Sequence, residues 1–377
     1  MNSMTWIEIN RSNLEHNILQ YKKWLPEQTK LAPVIKANAY GHGLYQIASI
    51  YDTNPHVATL CVVNSQEALY LRKHSIKKPI LIVGYLNSSL DEVILQDITI
   101  TVYDLQTIKQ LQSAAKQLNK LVNIHLKVDT GMSRLGIQEN NIKSYLDYIQ
   151  SCQNLILQGV FSHLSNGNSP KIVHQQEELF KLYNVKTSQR HIGNSLGSLN
   201  SKYQYDLARI GIGLYGYLLT TDHKKQEVLK PVLSLKTKII EIKELSANKT
   251  IGYFQRYKTT QKTKIAILSI GYYDGLNSKL AQQGRVLVNG CFAKIISINM
   301  NLTTIDITDI ANCSVHDTVT ILGEDQGANI NAYEWQKVLN LNLRESFARL
   351  DYSIPRIITK QKQQAAIAKD DFQSIEL

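Results

Sequence analysis

From Leu31 onward, short apolar runs alternate with amphipathic segments along the chain. The runs are rich in β-branched residues and have the length of buried strands. Strands that alternate with helices predict a parallel sheet covered by helices, and eight such units predict a (β/α)8 barrel. The seventh run is the weakest, and without it an open doubly wound sheet is the alternative. The runs are Leu31–Ile35, Val57–Val63, Pro79–Gly84, Ile98–Tyr103, Val122–Val128, Leu155–Phe161, Gln189–Ile192 and Ala208–Tyr215.

The segments around these runs predict helices. Ser12 is placed to cap the first of them, Asn13–Trp24, because a serine hydroxyl can accept from a free N–H of the first turn. Five more helices are predicted from the spacing of apolar residues: Ser65–Lys73, Leu90–Leu95, Leu105–Leu118, Ile142–Ser151 and His174–Tyr183.

After about Thr221 the pattern changes to short alternating strands separated by turn signals such as Asn289-Gly290. This predicts a mostly β second domain with one helix, Ala332–Leu339. The predicted division is a barrel over residues 10–230, a β domain over 231–359 that includes residues 1–9, and a polar tail over 360–377. The predicted strands are Ser234–Leu245, Lys264–Ile270, Arg285–Val288, Ala293–Asn299, Leu302–Ile307 and Thr318–Leu322, with Thr5–Asn10 at the start of the chain.

The composition fits a globular protein of two domains, with 377 residues of which 43% are hydrophobic and 19% charged. Four cysteines lie far apart and form no metal-binding or disulfide pattern, which favours a reducing compartment. No apolar run reaches membrane-spanning length, and the N-terminus lacks the pattern of a signal peptide. We therefore expect a cytoplasmic protein that binds no metal and no membrane.

The net charge of +11 is spread over scattered lysines rather than gathered into a basic stripe with aromatic residues. This argues against nucleic acid as a partner. A positively charged surface that attracts an anionic substrate or cofactor is the better interpretation.

Lys36 ends the first apolar run and is followed by small residues and two glycines. Desolvation of an ammonium is costly and lowers its pKa, so such a lysine can become a neutral amine that forms a Schiff base with a carbonyl. The alternative is that Lys36 only caps the strand and extends its ammonium into water.

Several polar residues follow the predicted barrel strands, where barrel enzymes place their chemistry. Glycines and a serine near strands seven and eight are typical of a phosphate site. A phosphate site opposite a lysine on strand one suggests pyridoxal phosphate (PLP). The polar residues are Lys36, Lys127, Asp129–Arg134, His163, Asn194, Ser195 and Arg209.

Seven motifs, in this order and spacing, resemble the alanine racemase family, whose members are PLP enzymes of fold type III. The resemblance covers roughly residues 4–358. It implies a (β/α)8 barrel followed by a β domain, a homodimer with shared active sites, and the interconversion of L- and D-alanine for peptidoglycan synthesis. The motifs are V-I-K-A-N-A-Y-G-H-G, L-K-V-D-T-G-M-S-R-L-G, S-H-L, A-R-I-G-I-G-L-Y-G, I-G-Y-F-Q-R-Y, I-G-Y-Y-D-G and Y-S-I-P-R.

The resemblance implies two catalytic bases. Lys36 would hold the cofactor and serve one face of the substrate Cα, while Tyr253 would reach the opposite face from the partner subunit. Inversion requires two such groups, because one removes a proton as the other returns it. A phenol acts as a base at neutral pH only beside positive charge, which His163 and Arg209 would supply.

The remaining site residues also follow from the resemblance. Arg209 would face the pyridine nitrogen and keep it unprotonated, which disfavours side reactions. Arg134 and the N–H of Met300 would bind the substrate carboxylate. Lys127 matches a position that is carbamylated in some members, and Tyr272 would line the opening of the site. The phosphate would be held by Tyr40, Ser195, Gly211, Ile212 and Tyr352, with Asn194 beside them.

Two positions depart from the family pattern. Asn299-Met300-Asn301 stands where Cys-Met-Asp is usual, so a negative charge near the substrate loop is lost. Phe254 replaces a small residue directly after Tyr253. Both departures bear on substrate preference and rate.

Three other functions compete with the racemisation of alanine. A basic amino-acid decarboxylase of this fold type uses a glutamate at the pyridine nitrogen, so Arg209 argues against it. The sequence does not distinguish an alanine racemase from a racemase of serine, lysine or a broader set of amino acids. A PLP carrier without turnover resembles the barrel alone, so the second domain with Tyr253 argues against it.

Overall fold

A computed structural model describes residues 3–218, 220 and 223–359. The predicted tail 360–377 lies outside the described residues. Six consecutive parallel strands form one sheet in chain order. A second parallel pair joins the first barrel strand to the eighth. The six strands are Leu60–Asn64, Ile80–Tyr85, Thr99–Val102, Val122–Lys127, Leu155–Phe161 and Gln189–His191, and the pair is Lys30–Leu31 with Leu207–Ala208.

Backbone hydrogen bonds close these eight strands into a barrel. Parallel bridges join Leu31 to Val57 and Val34 to Cys61, which connects the first strand to the second. On the other side, Asp206 N–H donates to Arg190 O at 3.0 Å, which connects the eighth strand to the seventh. The predicted (β/α)8 barrel is therefore confirmed, and the open doubly wound alternative is wrong.

The first and eighth strands are shorter than predicted. The first regular strand ends at Leu31, because Pro33 has no N–H to donate to a ladder, and only the bridge at Val34 continues the pairing. Beyond Ala208 the chain turns into a 3-10 helix, Ile212–Tyr215, instead of continuing as a strand. Here Gly213 approaches the Tyr21 hydroxyl so closely that a Cβ would lie 1.9 Å from it.

Helices cover the barrel. The first is capped by Asn10, whose side chain accepts from Asn13 N–H at 3.0 Å, and not by the predicted Ser12. The helices Ser65–Lys73, Leu90–Leu95 and Ile142–Ser151 have the predicted bounds. The remaining helices of the barrel region are Arg11–Trp24, Leu44–Asp52, Leu105–Gln117, Pro170–Leu182 and His223–Val228.

The second region is a mostly antiparallel sheet of nine strands. Strand Thr318–Asp325 also pairs with Leu233–Leu245, which closes six of the strands into a small barrel. The opening strand Thr5–Asn10 pairs with Leu233–Leu245 and with Arg356–Thr359. The other strands of the sheet are Thr263–Leu268, Arg285–Val288, Cys291–Ile298, Thr303–Asp306 and Ala328–Ile330; a hairpin joins Thr250–Ile251 to Tyr257–Lys258, and two helices are Ala332–Leu339 and Leu343–Ala348.

One continuous cluster of buried apolar side chains runs from the interior of the (β/α)8 barrel into the β region. Helix Leu343–Ala348 packs at this junction, where a Cβ on Gly41 would lie 2.0 Å from the Phe347 carbonyl oxygen. In the described part of the chain, we find no helix that combines the length and the hydropathy needed to cross a bilayer.

Candidate active site

A cavity of about 690 Å³ opens at the carboxyl ends of the barrel strands. This volume suits a small cofactor with its substrate. All ten candidate residues that the sequence places in the barrel line the cavity: Lys36, Tyr40, Lys127, Arg134, His163, Asn194, Ser195, Arg209, Gly211 and Ile212.

Lys36 enters the cavity from a tight turn with unusual backbone geometry. The four residues that follow it, Ala37 to Tyr40, have φ values between 51° and 54°, a conformation that L-amino acids adopt rarely and at a cost. Glu67 stabilises this turn because its two carboxylate oxygens accept from Ala37 N–H at 2.7 Å and from Val63 N–H at 2.9 Å. Glu67 was not identified from the sequence. Its only signal there is its place in the first turn of helix Ser65–Lys73.

The environment of Lys36 favours its neutral amine. Burial lowers the pKa of Lys36, and the positive charge of Arg134 lowers it further, whereas Glu67 opposes the shift. The neutral amine is the nucleophilic form, so Lys36 is suited to react with a carbonyl compound.

Arg134 lies on a loop that is ordered by Asp129. One carboxylate oxygen of Asp129 accepts from the N–H groups of Gly131, Met132 and Ser133 at 2.9 to 3.1 Å. The guanidinium of Arg134 is exposed at the edge of the cavity, where it can bind a carboxylate.

Arg209 is a buried cation, with 4% of its surface exposed. Its Nη1 donates to His191 Nδ1 at 2.5 Å, and its Nη2 donates to the Ser162 carbonyl oxygen at 2.6 Å. Burial lowers the pKa of Arg209 to about 10, so the group stays charged at neutral pH. No carboxylate of the described residues forms an ion pair with it.

Two histidines behind Arg209 were not identified from the sequence. Because a guanidinium only donates, His191 Nδ1 accepts, and its Nε2–H donates to His125 Nδ1 at 2.9 Å. His125 Nε2–H in turn donates to Gln158 at 3.3 Å. This series of hydrogen bonds specifies the tautomer of both histidine rings and holds the Arg209 guanidinium in one orientation. The sequence does contain one signal for His125: it lies two residues before Lys127 on the same strand, so the two side chains lie on the same face of that strand.

His163 accepts from Arg209 Nη2 through its Nδ1 at 3.4 Å. Burial, together with the charges of Arg209 and three further cations, lowers the pKa of His163 well below its ordinary value. The lowered pKa favours the neutral ring of His163, which differs from the expectation that His163 supplies positive charge. Within this pair the positive charge belongs to Arg209.

Lys127 is 5% exposed, and within the described part of the chain its Nζ donates one long hydrogen bond, to the Val83 carbonyl at 3.5 Å. Burial lowers the pKa of Lys127 to about 7, and the charges of Arg209, Arg134 and Lys36 act in the same direction. A large fraction of this amine is consequently neutral at physiological pH.

Burial of the charged Lys127 amine lowers the free energy of unfolding, and we expect this destabilisation to disappear as the pH rises. Its pKa is about 7 in the folded chain, against 10.5 for an ordinary lysine, so the unfolded chain binds more protons between these values. Relative to Lys127→Met, the free energy of unfolding should rise by on the order of a few kcal/mol between about pH 7 and pH 10. Urea unfolding in CO2-free buffer tests this, with exposed Lys116→Met as control. Parallel pH profiles for wild type and Lys127→Met would contradict it.

The Ser195 hydroxyl and the backbone of Gly211–Gly213 form a polar cradle. The Ser195 hydroxyl oxygen accepts from Gly211 N–H at 3.1 Å and from Gly213 N–H at 3.3 Å. Tyr40 lies against Gly211, where a Cβ would meet the phenol oxygen at 2.6 Å. Converging N–H and O–H groups of this kind suit a phosphate group. Asn194 contributes differently, because its side chain accepts from Gly197 N–H and donates to Leu164 O, which shapes the loop.

Comparison with known proteins places this arrangement in a family. The model described as "Alanine racemase, N-terminal domain" matches residues 9–218, and the model described as "Alanine racemase, C-terminal domain" matches residues 232–358. The chain belongs to the alanine racemase family. The resemblance inferred from the motifs is therefore confirmed.

Relatives in the alanine racemase family match over nearly their whole length. "Alanine racemase 2" of Caldanaerobacter subterraneus subsp. tengcongensis is 34% identical over 366 residues, which cover 94% of both chains. "Alanine racemase" of Clostridium kluyveri is 33% identical over 371 residues, again with 94% of both chains covered. The solved alanine racemase of Clostridium difficile has a TM-score of 0.89 at 29% identity, covering 96% of this chain and 97% of that one.

Four residues suggested by the resemblance to alanine racemases do not line the cavity of a single chain. Tyr253, Tyr272 and Met300 are 74%, 47% and 54% exposed on the β region. Tyr272 lies beside the loop that carries Met300, since Tyr272 N–H donates to the Asn299 carbonyl at 3.0 Å. Tyr352 is 69% exposed, and its carbonyl accepts from Arg356 at 3.0 Å.

Phe254 is 86% exposed, more than any other large apolar residue that the structure describes, and its φ is 59°. A bulky side chain in this conformation carries backbone strain. The ring lies 5.4 Å from the Arg256 guanidinium carbon and extends the exposed surface next to Tyr253.

Two cavity-lining residues come from the β region of the same chain and were missed. Asn342 and Arg344 belong to the start of helix Leu343–Ala348. Neither lies near a motif that the sequence brings forward, because their position depends on how the two regions pack.

Proposed function

We propose that the protein interconverts L-alanine and D-alanine with PLP as cofactor and so supplies D-alanine for peptidoglycan. The observation that carries this proposal is a partly buried lysine, Lys36, in a cavity whose other charged groups are mostly cations. Such a cavity suits a cofactor phosphate together with an amino-acid carboxylate. The family and its named relatives support the choice of alanine.

The residues fit the cofactor at both ends. Lys36 provides the amine that would hold the PLP aldehyde, and the Ser195 hydroxyl with the backbone of Gly211 and Ile212, beside Tyr40, would receive the phosphate. Arg209 would face the pyridine nitrogen, and its fixed charge argues for racemisation rather than decarboxylation. When bound, PLP supplies the electron-withdrawing group that makes the Cα proton of the amino acid removable.

The chain's own groups would then move the proton. Lys36 would serve one face of Cα, and Tyr253 of the partner subunit would serve the other. Arg134 and the Met300 N–H of the partner subunit would orient the substrate carboxylate. We therefore propose a homodimer in which the exposed residues around Tyr253 complete the partner's cavity, with Tyr272 at its opening. The strong exposure of Tyr253 and Phe254 in the single chain supports this.

Incubation of the purified protein with PLP and L-alanine tests the proposal. We expect D-alanine to accumulate until both isomers are equal, as detected by circular dichroism and by a D-amino-acid oxidase assay. L-serine and L-lysine are tested in parallel, since Phe254 and Asn301 bear on the substrate range. Formation of a borohydride-reducible adduct without any D-alanine would reject alanine racemisation while leaving the cofactor site in place.

We expect Gly211→Ala to weaken PLP binding by about tenfold. A Cβ at this position would lie 2.6 Å from the Tyr40 hydroxyl, so the ring or the cradle must shift. Titration of the apoprotein with PLP measures the loss. Gly327→Ala is the control: nothing lies within 4 Å of its Cβ position, and its φ of 87°, against −105° at Gly211, makes it the more strained place for an alanine backbone. Equal affinities for the two variants would contradict the role of Gly211.

A further inference from the structure

Helix Leu343–Ala348 of the β region is held rigidly against the turn that carries Lys36. The backbone of Gly41 contacts the Phe347 carbonyl so closely that a Cβ would lie 2.0 Å from its oxygen. The rings of His42 and Phe347 are 5.4 Å apart, and Arg356 Nη2 donates to the Gly41 carbonyl at 3.2 Å. The start of the helix is thereby fixed at the edge of the cavity.

The start of this helix presents Arg344 to the cavity. The Asn342 side chain accepts from Arg344 N–H at 3.0 Å, and both residues line the cavity. Among the described residues no carboxylate forms an ion pair with Arg344. Its neighbour Glu345 pairs instead with Arg349 at 2.5 Å. Arg344 is therefore an exposed guanidinium with its donors available for an anion.

The group of residues proposed to hold the phosphate offers only neutral donors, from Ser195, Gly211, Ile212 and the Tyr40 hydroxyl. A phosphate dianion held by neutral donors alone lacks a counter-charge. Burial raises the pKa of Tyr40, and Arg344 is the cation whose charge opposes that rise. Arg344 lines the same cavity as Tyr40, Ser195 and Gly211, and its charge acts on both Tyr40 and Lys36.

We propose that Arg344 is a further anion-binding residue of this site, which pairs its guanidinium with the phosphate group of the cofactor. This inference rests on the proposed function, because it requires that PLP occupies the cavity. Arg344 would add a charge-assisted hydrogen bond to the neutral donors of the cradle. It would also couple the cofactor to the β region, since the helix that carries Arg344 belongs to that region.

The test compares Arg344→Gln with Arg349→Gln, a matched change five residues further along the chain that lies outside the cavity lining. Each apoprotein is titrated with PLP and with pyridoxal, which lacks the phosphate, and the bound fraction is read from the cofactor absorbance. We expect Arg344→Gln to raise the Kd for PLP about tenfold or more and to leave the Kd for pyridoxal unchanged. Arg344→Lys, which keeps the charge, should restore most of the PLP affinity, and Arg349→Gln should match wild type.

Two results would overturn this assignment. Equal Kd values for PLP in wild type and Arg344→Gln would remove Arg344 from the phosphate site while the proposed function stands. An unchanged Kd for PLP with a raised KM for alanine would assign Arg344 to the substrate carboxylate instead. Failure of wild type itself to bind PLP is a separate result, which would reject the proposed function and this inference together.

Discussion

Lys36→Ala is expected to lower the racemisation rate by at least about 10⁴-fold, since the change removes both the amine that holds the cofactor and one of the two proton-transfer groups. Lys36 lines the cavity, and both its burial and the charge of Arg134 favour its reactive neutral amine. The variant should also lose the borohydride-reducible link to PLP. Mass spectrometry after reduction and the rate of D-alanine formation measure the two losses.

Exposed Lys116→Ala controls for the loss of a surface charge and should match wild type. Addition of methylamine gives a second control, because a small amine can enter the space left by the side chain and replace its chemistry. Partial recovery with methylamine would show that the variant is folded and lacks only the amine. A Lys36→Ala variant with wild-type turnover would reject both roles of Lys36.

The helices show how far the spacing of apolar residues determines the fold. Helix Ser65–Lys73 has the predicted bounds because its apolar spacing is clear and Asn64 caps it through a hydrogen bond to Glu67 N–H at 3.0 Å. The pattern of Ala208–Tyr215 predicts a strand, but an apolar run with glycines fits a strand and a 3-10 helix equally well, so the pattern alone cannot decide between them. Its true conformation depends on the contact of Gly213 with Tyr21, which is distant in sequence.

The site residues also divide into those that the sequence predicts and those that depend on distant contacts. Lys36, His163 and Arg209 could be placed together from the sequence, because parallel strands bring their carboxyl ends to one edge of a barrel. His191 and Arg344 could not be identified so easily. The role of His191 depends on a ring-to-ring contact with His125 from a distant strand, and that of Arg344 on the packing of two regions.

Charge states were the least predictable property of the site. His163 was expected to be a cation, yet burial and the neighbouring positive charges lower its pKa well below the ordinary value. No local feature of S-H-L reveals this, because the cations that act on His163 come from four other places along the chain. The sequence thus predicts which groups meet, whereas their protonation depends on the assembled cavity.

Tyr253→Phe is expected to lower racemisation in both directions by about 10² to 10⁴-fold while PLP binding stays as in wild type. The groups that would hold PLP, such as Lys36, Ser195 and Gly211, belong to the barrel, whereas Tyr253 is 74% exposed on the β region, so the loss of its hydroxyl leaves those groups in place. The base at Lys36 should remain. One enantiomer of alanine should therefore still exchange its Cα proton for deuterium from the solvent without inversion, as NMR can measure.

Mixing the two inactive variants distinguishes a shared site from a site within one chain. If Tyr253 completes the cavity of the partner, a heterodimer of Lys36→Ala and Tyr253→Phe contains one site with both groups intact and one site with neither. Unfolding and refolding an equal mixture should then restore about one quarter of the wild-type activity, since half of the dimers are mixed and each has one working site. If Tyr253 instead acted in its own chain, every site would lack one group and no activity would return. Recovery of activity would thus support both the two-base mechanism and the dimer, because neither alone accounts for it.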